Sequence, residues 1–184
     1  MLKQKTSKNE SSVVEIDLRQ PLVAGVWAWL WPGAGHLYQG RHAKGILFMV
    51  CILSTYFFGL TLGGGHVVYA SFKKNDRRWQ YVCQVGVGLP ALPALVQADR
   101  VRKGKEPLLG GVMAPPRNVH PDIADELAGW HEMYHSFFEL GTLYTVVAGL
   151  LNVLAIYDAY AGPFLSVPEE SFSRPPPDPK VRAS

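Results

Sequence analysis

The stretch Trp31–Gly45, WPGAGHLYQGRHAKG, limits the fold more than any other, because it gathers proline, glycine and basic residues into one turn between two apolar runs. Those runs, Pro21–Tyr38 and Gly45–Leu62, each approach the roughly 20 apolar residues that carry a helix across a bilayer. Joined by a few glycines and cations, they predict a helical hairpin in a membrane. Of the 184 residues 48% are hydrophobic and only 18% charged, an apolar balance for a chain of this length. The mean hydropathy of +0.04 is modest because polar ends dilute the apolar blocks.

Charge points the same way. The formal net charge is +3, and Lys and Arg flank the apolar runs instead of forming one long block, which suits anionic lipid headgroups better than nucleic acid. Membrane lipids, other membrane proteins or a second copy of the chain are the expected partners, and no cofactor is expected. The two cysteines, Cys51 and Cys83, lie inside apolar runs and define neither a disulfide framework nor a zinc site.

Residues 1–20 form a polar leader with Lys3, Lys5 and Lys8 and no apolar core of a cleavable signal, so a disordered leader is expected there. Residues 21–163 form the expected membrane domain. In its first run, 21–38, Pro32 predicts a kink, or a re-entrant segment if the helix stops at Trp31. Gly45–Leu62 carries no charge after Lys44, and Thr55, Gly59 and Gly63 recur every fourth residue, which places small groups on one face for helix packing. His66–Phe72 reads as an interfacial connector, and Lys73, Lys74, Arg77 and Arg78 beside Trp79 and Tyr81 as a membrane boundary.

The run 79–97 is apolar but interrupted by Pro90 and Pro93, predicting a broken span inside the bundle. Together with Gly86 and Gly88, those prolines are an alternative framework for a cavity. Residues 99–120 read as the main extramembrane loop. Over 121–138, Ile123, Leu127, Trp130, Tyr134 and Phe137 draw an apolar stripe, predicting an amphipathic interfacial helix. The last span, 139–160, has no charge until Asp158, and Gly141, Thr145 and Gly149 form a second small-residue seam. Asn152 near its middle reads as inter-helix glue, since a buried amide requires a partner. The Pro-rich tail, 164–184, is expected to be disordered.

Gly33, Gly35, His36, Tyr38, Gly40, Arg41, Lys44 and Gly45 give the turn a likeness to the TM2-type transmembrane hairpin. Where that family commonly has His-Arg-Phe-Tyr, this chain has His36-Leu37-Tyr38. The hairpin and the block FELGTLYTVVAGLLNVLAIYDAYAGP together resemble a family of small bacterial membrane proteins of unknown function, a likeness spanning most of residues 21–163. Both resemblances imply membrane architecture without enzymatic chemistry.

One motif suggests a different role. His131, Glu132 and His135 match HExxH, in which two histidines four apart ligate zinc and the glutamate activates a metal-bound water. A third ligand would have to come from Glu139, Asp158, His66 or His120. The expectation is therefore an all-α polytopic membrane protein of about four spans plus one amphipathic helix, located in the bacterial inner membrane. Its expected role is structural, assembly or sensing. A zinc metallopeptidase using Glu132, and a small transporter or lipid-binding protein, are the alternatives. With four spans, Lys and Arg counts favour an inside N-terminus, while a TM2-like turn facing the cytoplasm would invert it.

Overall fold

Two uncharged stretches are long enough to propagate as single helices, and they form the frame. The computed structural model describes residues 20–73, 76–117 and 126–162. Helix α3, His42–Leu62, runs 21 residues, and α7, Ser136–Ala161, runs 26. At 1.5 Å per residue they are about 31 and 39 Å long. They pack antiparallel: the end of α3 meets the start of α7 at Gly59 and Gly141, while Lys44 near the start of α3 meets Asp158 near the end of α7.

The remaining apolar runs form shorter, interrupted helices. Four spans were expected, and among the described residues two helices are long and apolar enough. Helix α1, Pro21–Leu30, runs beside α7 from Tyr160 to the level of Asn152 and stops. Gly33, at φ +80°, then reverses the chain, and α2, Ala34–Tyr38, returns along α1 to the end from which it came. The proline expected to kink the run instead belongs to a reversal. A side chain at Gly33 would collide with the Gly45 carbonyl of α3, so glycine fits both the conformation and the space.

The run 79–97 makes a second reversal, entering from the opposite end. Helix α4, Gln80–Gln84, tightens into a 3₁₀ turn at Val85–Val87, and Gly88, at φ +86° and ψ −133°, turns the chain. A second 3₁₀ turn, Leu89–Ala91, leads into α5, Pro93–Arg102, which runs back out. Pro90 and Pro93 fit because they occupy the first turns of new segments and need no helical N–H there. The tips of the two hairpins touch: a Cβ built on Gly88 would collide with the Trp29 carbonyl oxygen.

The end where α4 and α5 emerge is closed by chain outside the two long helices. Val67, Val68, Tyr69 and Ala70 are buried, so the expected interfacial connector is part of the packed core. A two-residue antiparallel ladder follows, β1 Phe72–Lys73 with β2 Asp76–Arg77, pairing Phe72 with Arg77. Gln97 ties α5 to the following chain by bonding Leu108 and Val112. Helix α6, Glu126–Tyr134, covers this end through Trp130. The amphipathic helix expected over 121–138 stops at Tyr134: His135 adopts φ +46° and ψ −131°, and residues 136–138 already belong to α7. The leader, the tail, Lys74, His120 and the expected helix start at Pro121 lie outside the described residues.

Candidate functional site

Several polar side chains of this molecule are fully buried, while many of its large apolar ones are exposed. Along α7 the buried positions are Phe138, Gly141, Thr145, Ala148, Gly149, Asn152, Ala155 and Ala159, all but the first small or polar. The opposite face carries Leu143, Leu150, Val153, Leu154 and Tyr157, with Leu154 69% exposed. In the most apolar stretches of α3 and α7 only 28% and 33% of residues are buried, whereas a core helix of a water-soluble domain is mostly covered.

The seams follow from this arrangement. At Gly59 and Gly141 the α3 and α7 backbones approach so closely that a Cβ on Gly141 would lie 2.5 Å from the Gly59 carbonyl oxygen and 3.1 Å from the Gly63 amide. Thr145 accepts from Gln84, whose side-chain nitrogen also reaches the Val67 carbonyl. Gly149 faces the Cys83 carbonyl on α4 and does not face α3. Thr55 donates its hydroxyl to Cys51 of its own helix. Asn152 is fully buried and donates to the carbonyls of Ala28 at 3.1 Å and Gly86 at 2.9 Å. One amide therefore binds both hairpin tips to α7, while its Oδ1 has no hydrogen-bond partner.

The densest group of ionisable side chains lies at the turn between α2 and α3. Asp158, in the last turn of α7, would be unfavourable there alone, since a helix C-terminus carries partial negative charge. Three residues of the turn offset it. His36 Nε2 lies 2.7 Å from Asp158 Oδ2, Lys44 Nζ also 2.7 Å, and Arg41 Nη2 3.3 Å. Gln39 adds a bond from its side-chain nitrogen to the Ala159 carbonyl at 2.6 Å. His36 is fully buried with its ring edge-on to Phe48, whereas Arg41 and Lys44 are partly exposed.

The other turn residues shape this cluster without entering it. Gly35 packs against Ala24 and Ala28 of α1, Gly45 against Leu37 and the Gly33 carbonyl, Gly40 has open space around it, and Tyr38 is half-buried. The sequence singled out His36, Arg41 and Lys44 but considered Asp158 only as a distant metal ligand. The one signal that could have paired them was a carboxylate at the end of an otherwise uncharged span.

The HExxH residues are at the other end. His131 and Glu132 are exposed on α6, His131 packs against the Phe138 ring, and His135 sits at the break before α7. His66 stacks on Trp130 with ring centroids 4.4 Å apart, and burial pulls its pKa below the ordinary value. Asp158 is held by the turn at the opposite end, and Glu139 is exposed. Among the described residues no three His, Cys, Asp or Glu side chains converge on a point where a metal could be held. Nearby, Arg78 is buried over Tyr69 and Phe138 and donates to the Val67 carbonyl and Thr142.

Fold and site together define a helical protein with two helices long and apolar enough to cross a membrane, several buried polar side chains between its helices, and a carboxylate held by a basic turn. The chain belongs to DUF6677, a family of unknown function, which matches residues 23–171. No curated protein and no solved structure matches it.

Proposed function

We propose that this protein is a multi-pass integral membrane protein of the bacterial inner membrane, with a structural, assembly or sensing role and no enzymatic one. The observation that carries this reading is the exposed apolar surface of the two long helices and of α1, with Leu22, Leu47 and Leu154 facing outward while Gln84, Asn152 and Thr145 are fully buried. In water such a surface would be a large exposed apolar patch; in lipid it is the solvated face, and the interior is where polar groups and small residues belong. On this reading α3 and α7 cross, and 21–41 and 79–102 are re-entrant hairpins whose backbone groups are sheltered by protein. The turn between α2 and α3 is a TM2-type connection whose first arm goes in and comes back.

Both ends of the chain then lie on the side of Asp158. The leader, the turn and the tail carry nine Lys and Arg, and the other nine lie on the opposite side, so charge no longer orients the protein. Cys51, exposed midway along α3, provides the test. In a Cys83→Ser background, an impermeant maleimide should leave Cys51 unlabelled in intact membranes and label it in denaturant, and the protein should stay with the membrane through alkaline carbonate. Release as a monodisperse water-soluble monomer would overturn the reading.

A second reading, a small transporter, is favoured by one observation: two broken hairpins from opposite ends meet beside Asn152, whose Oδ1 is buried without a partner. Interrupted helices meeting at mid-depth are a framework for solute sites. Ala91→Cys, placed at a tip, should then react with water-soluble reagents in sealed vesicles. Complete protection from both sides would end that reading.

A further inference from the structure

We propose that α6 is an acid-released latch: protonation of His66 breaks its stack on Trp130, and α6 then swings away on the His135 joint while α3 and α7 stay packed. The inference rests on α6 and its neighbours alone, and holds whether or not the two long helices cross a membrane.

The helix is held at few points. Of Glu126–Tyr134 only Trp130 is buried, Leu127 and Tyr134 are half-buried, and the rest face outward. Trp130 is fixed by rings: it stacks on His66 with centroids 4.4 Å and planes 15° apart, with Tyr69 edge-on at 6.1 Å and Phe138 at 6.5 Å. Tyr134 adds a close contact over Gly64. The joint is a single residue. Between the end of α6 at Tyr134 and the start of α7 at Ser136, His135 holds φ +46° and ψ −131°, a conformation that residues with a Cβ rarely adopt. Such a residue keeps its strain only while its surroundings impose it, so it is the place where a movement of α6 against α7 is absorbed.

His66 gives this anchor its sensitivity to acid. Its Nδ1 is buried with no hydrogen-bond partner. A neutral ring can leave that nitrogen bare with its proton on Nε2, but a charged ring must carry a proton on both, which buries an N–H without an acceptor. The indole face attracts an imidazolium, yet offers no acceptor to the new N–H. The surrounding charges do not reverse this. On α6, Glu126 favours the charged form and is outweighed by burial, which holds the His66 pKa below its ordinary value, while His131 lies on the Phe138 ring. Arg78, just before α4, lies over Tyr69 and Phe138, so a charged His66 would be a second cation against one ring cluster. On α7, Glu139 is exposed, and neither the last turn of α3 nor Val112 and Met113, packed on Gly65, brings a charge.

The test is hydrogen exchange of the full chain in detergent, corrected for the intrinsic pH dependence of exchange, comparing peptides over 126–135 with peptides inside α3 and α7. Between about pH 7.5 and about pH 5.5 the protection of α6 should fall by up to about tenfold, the change open to an imidazole of ordinary pKa 6.5, while α3 and α7 keep theirs. His66→Phe keeps a ring over Trp130 and cannot titrate, so its α6 should stay protected at both values. Glu126→Gln leaves the core untouched and keeps an acceptor for the Arg117 amide, but loses the charge that favours imidazolium. Its release should therefore move to lower pH, a result that stands even if His66→Phe does not fold. Equal α6 protection at both values in the wild type, a His66→Phe variant that loses as much as the wild type, or release at unchanged or higher pH in Glu126→Gln overturns the proposal. So does loss of protection in α3 and α7 together with α6, which is unfolding of the whole chain. Carbonate extraction reports on membrane insertion independently.

Discussion

His36 and Asp158, 122 residues apart in sequence, are joined by a 2.7 Å contact between Nε2 and Oδ2 that fastens the turn before α3 to the last turn of α7. The buried imidazole, the carboxylate and the two cations form one unit, so removing the carboxylate leaves three donors without their common acceptor. Asp158→Asn is expected to lower stability by about 1–3 kcal/mol, with Asp158→Glu intermediate. Thermal unfolding in detergent checks this, and an unchanged Tm in Asp158→Asn would show that the cluster does not hold the turn.

Gly141 and Gly59 place the α3 and α7 backbones in direct contact. Gly141→Ala has no space for its methyl group, and separating the helices should cost about 1–3 kcal/mol. Leu154→Ala, on the 69% exposed outward face, should cost much less in detergent. Equal losses in the two variants would argue against this seam.

At the hairpin tips the contact is with backbone, which cannot rotate away. Gly88→Ala combines a left-handed φ of +86° with a collision against the Trp29 carbonyl and should destabilise by about 2 kcal/mol or more. It should also speed maleimide labelling of the half-buried Cys83 on the adjacent α4. A stable variant with unchanged labelling would mean that the tips do not touch.

Asn152→Leu removes the only side-chain bonds described to the Ala28 and Gly86 carbonyls. Two buried acceptors lose their donor, and about 1–3 kcal/mol should be lost. Asn152→Asp should be no better, because an ionised carboxylate cannot donate. Full stability in either variant would contradict the bridging role.

The His66 pKa lies below its ordinary value of 6.5, chiefly through burial against Trp130, with Glu126 opposing. The folded protein therefore binds fewer protons here than the unfolded one as pH falls through this region, so stability should decline on acidification from about pH 7. His66→Gln should flatten that decline when Tm is followed between pH 7.5 and 5.5. A slope unchanged by the substitution would assign the pH dependence elsewhere.

The parts of the architecture that could be read from sequence are those set by neighbours along the chain. A run without charge is a local property, and so is its length, which is why α3 and α7 were legible. Their spacing of small residues says which side chains share a helix face. It does not say what that face meets: Gly59 meets Gly141, but Gly149 meets α4. Proline was ambiguous because it fits both a kinked helix and the start of a new one, and at Pro32, Pro90 and Pro93 the structure has reversals and restarts. The apolar run Val67–Ala70 was equally ambiguous, since hydrophobicity alone does not separate a core segment from an interfacial one.

By itself, then, the sequence determined that this chain has two long helices, that their exteriors are apolar, and that one basic glycine-rich turn precedes the first of them, because helix length and residue periodicity are written locally. Only the tertiary structure decided that the other two apolar runs double back on themselves, and that Asp158 closes onto His36, Arg41 and Lys44. Those features depend on which backbones can approach one another and on contacts between residues more than a hundred positions apart, and no local pattern encodes either.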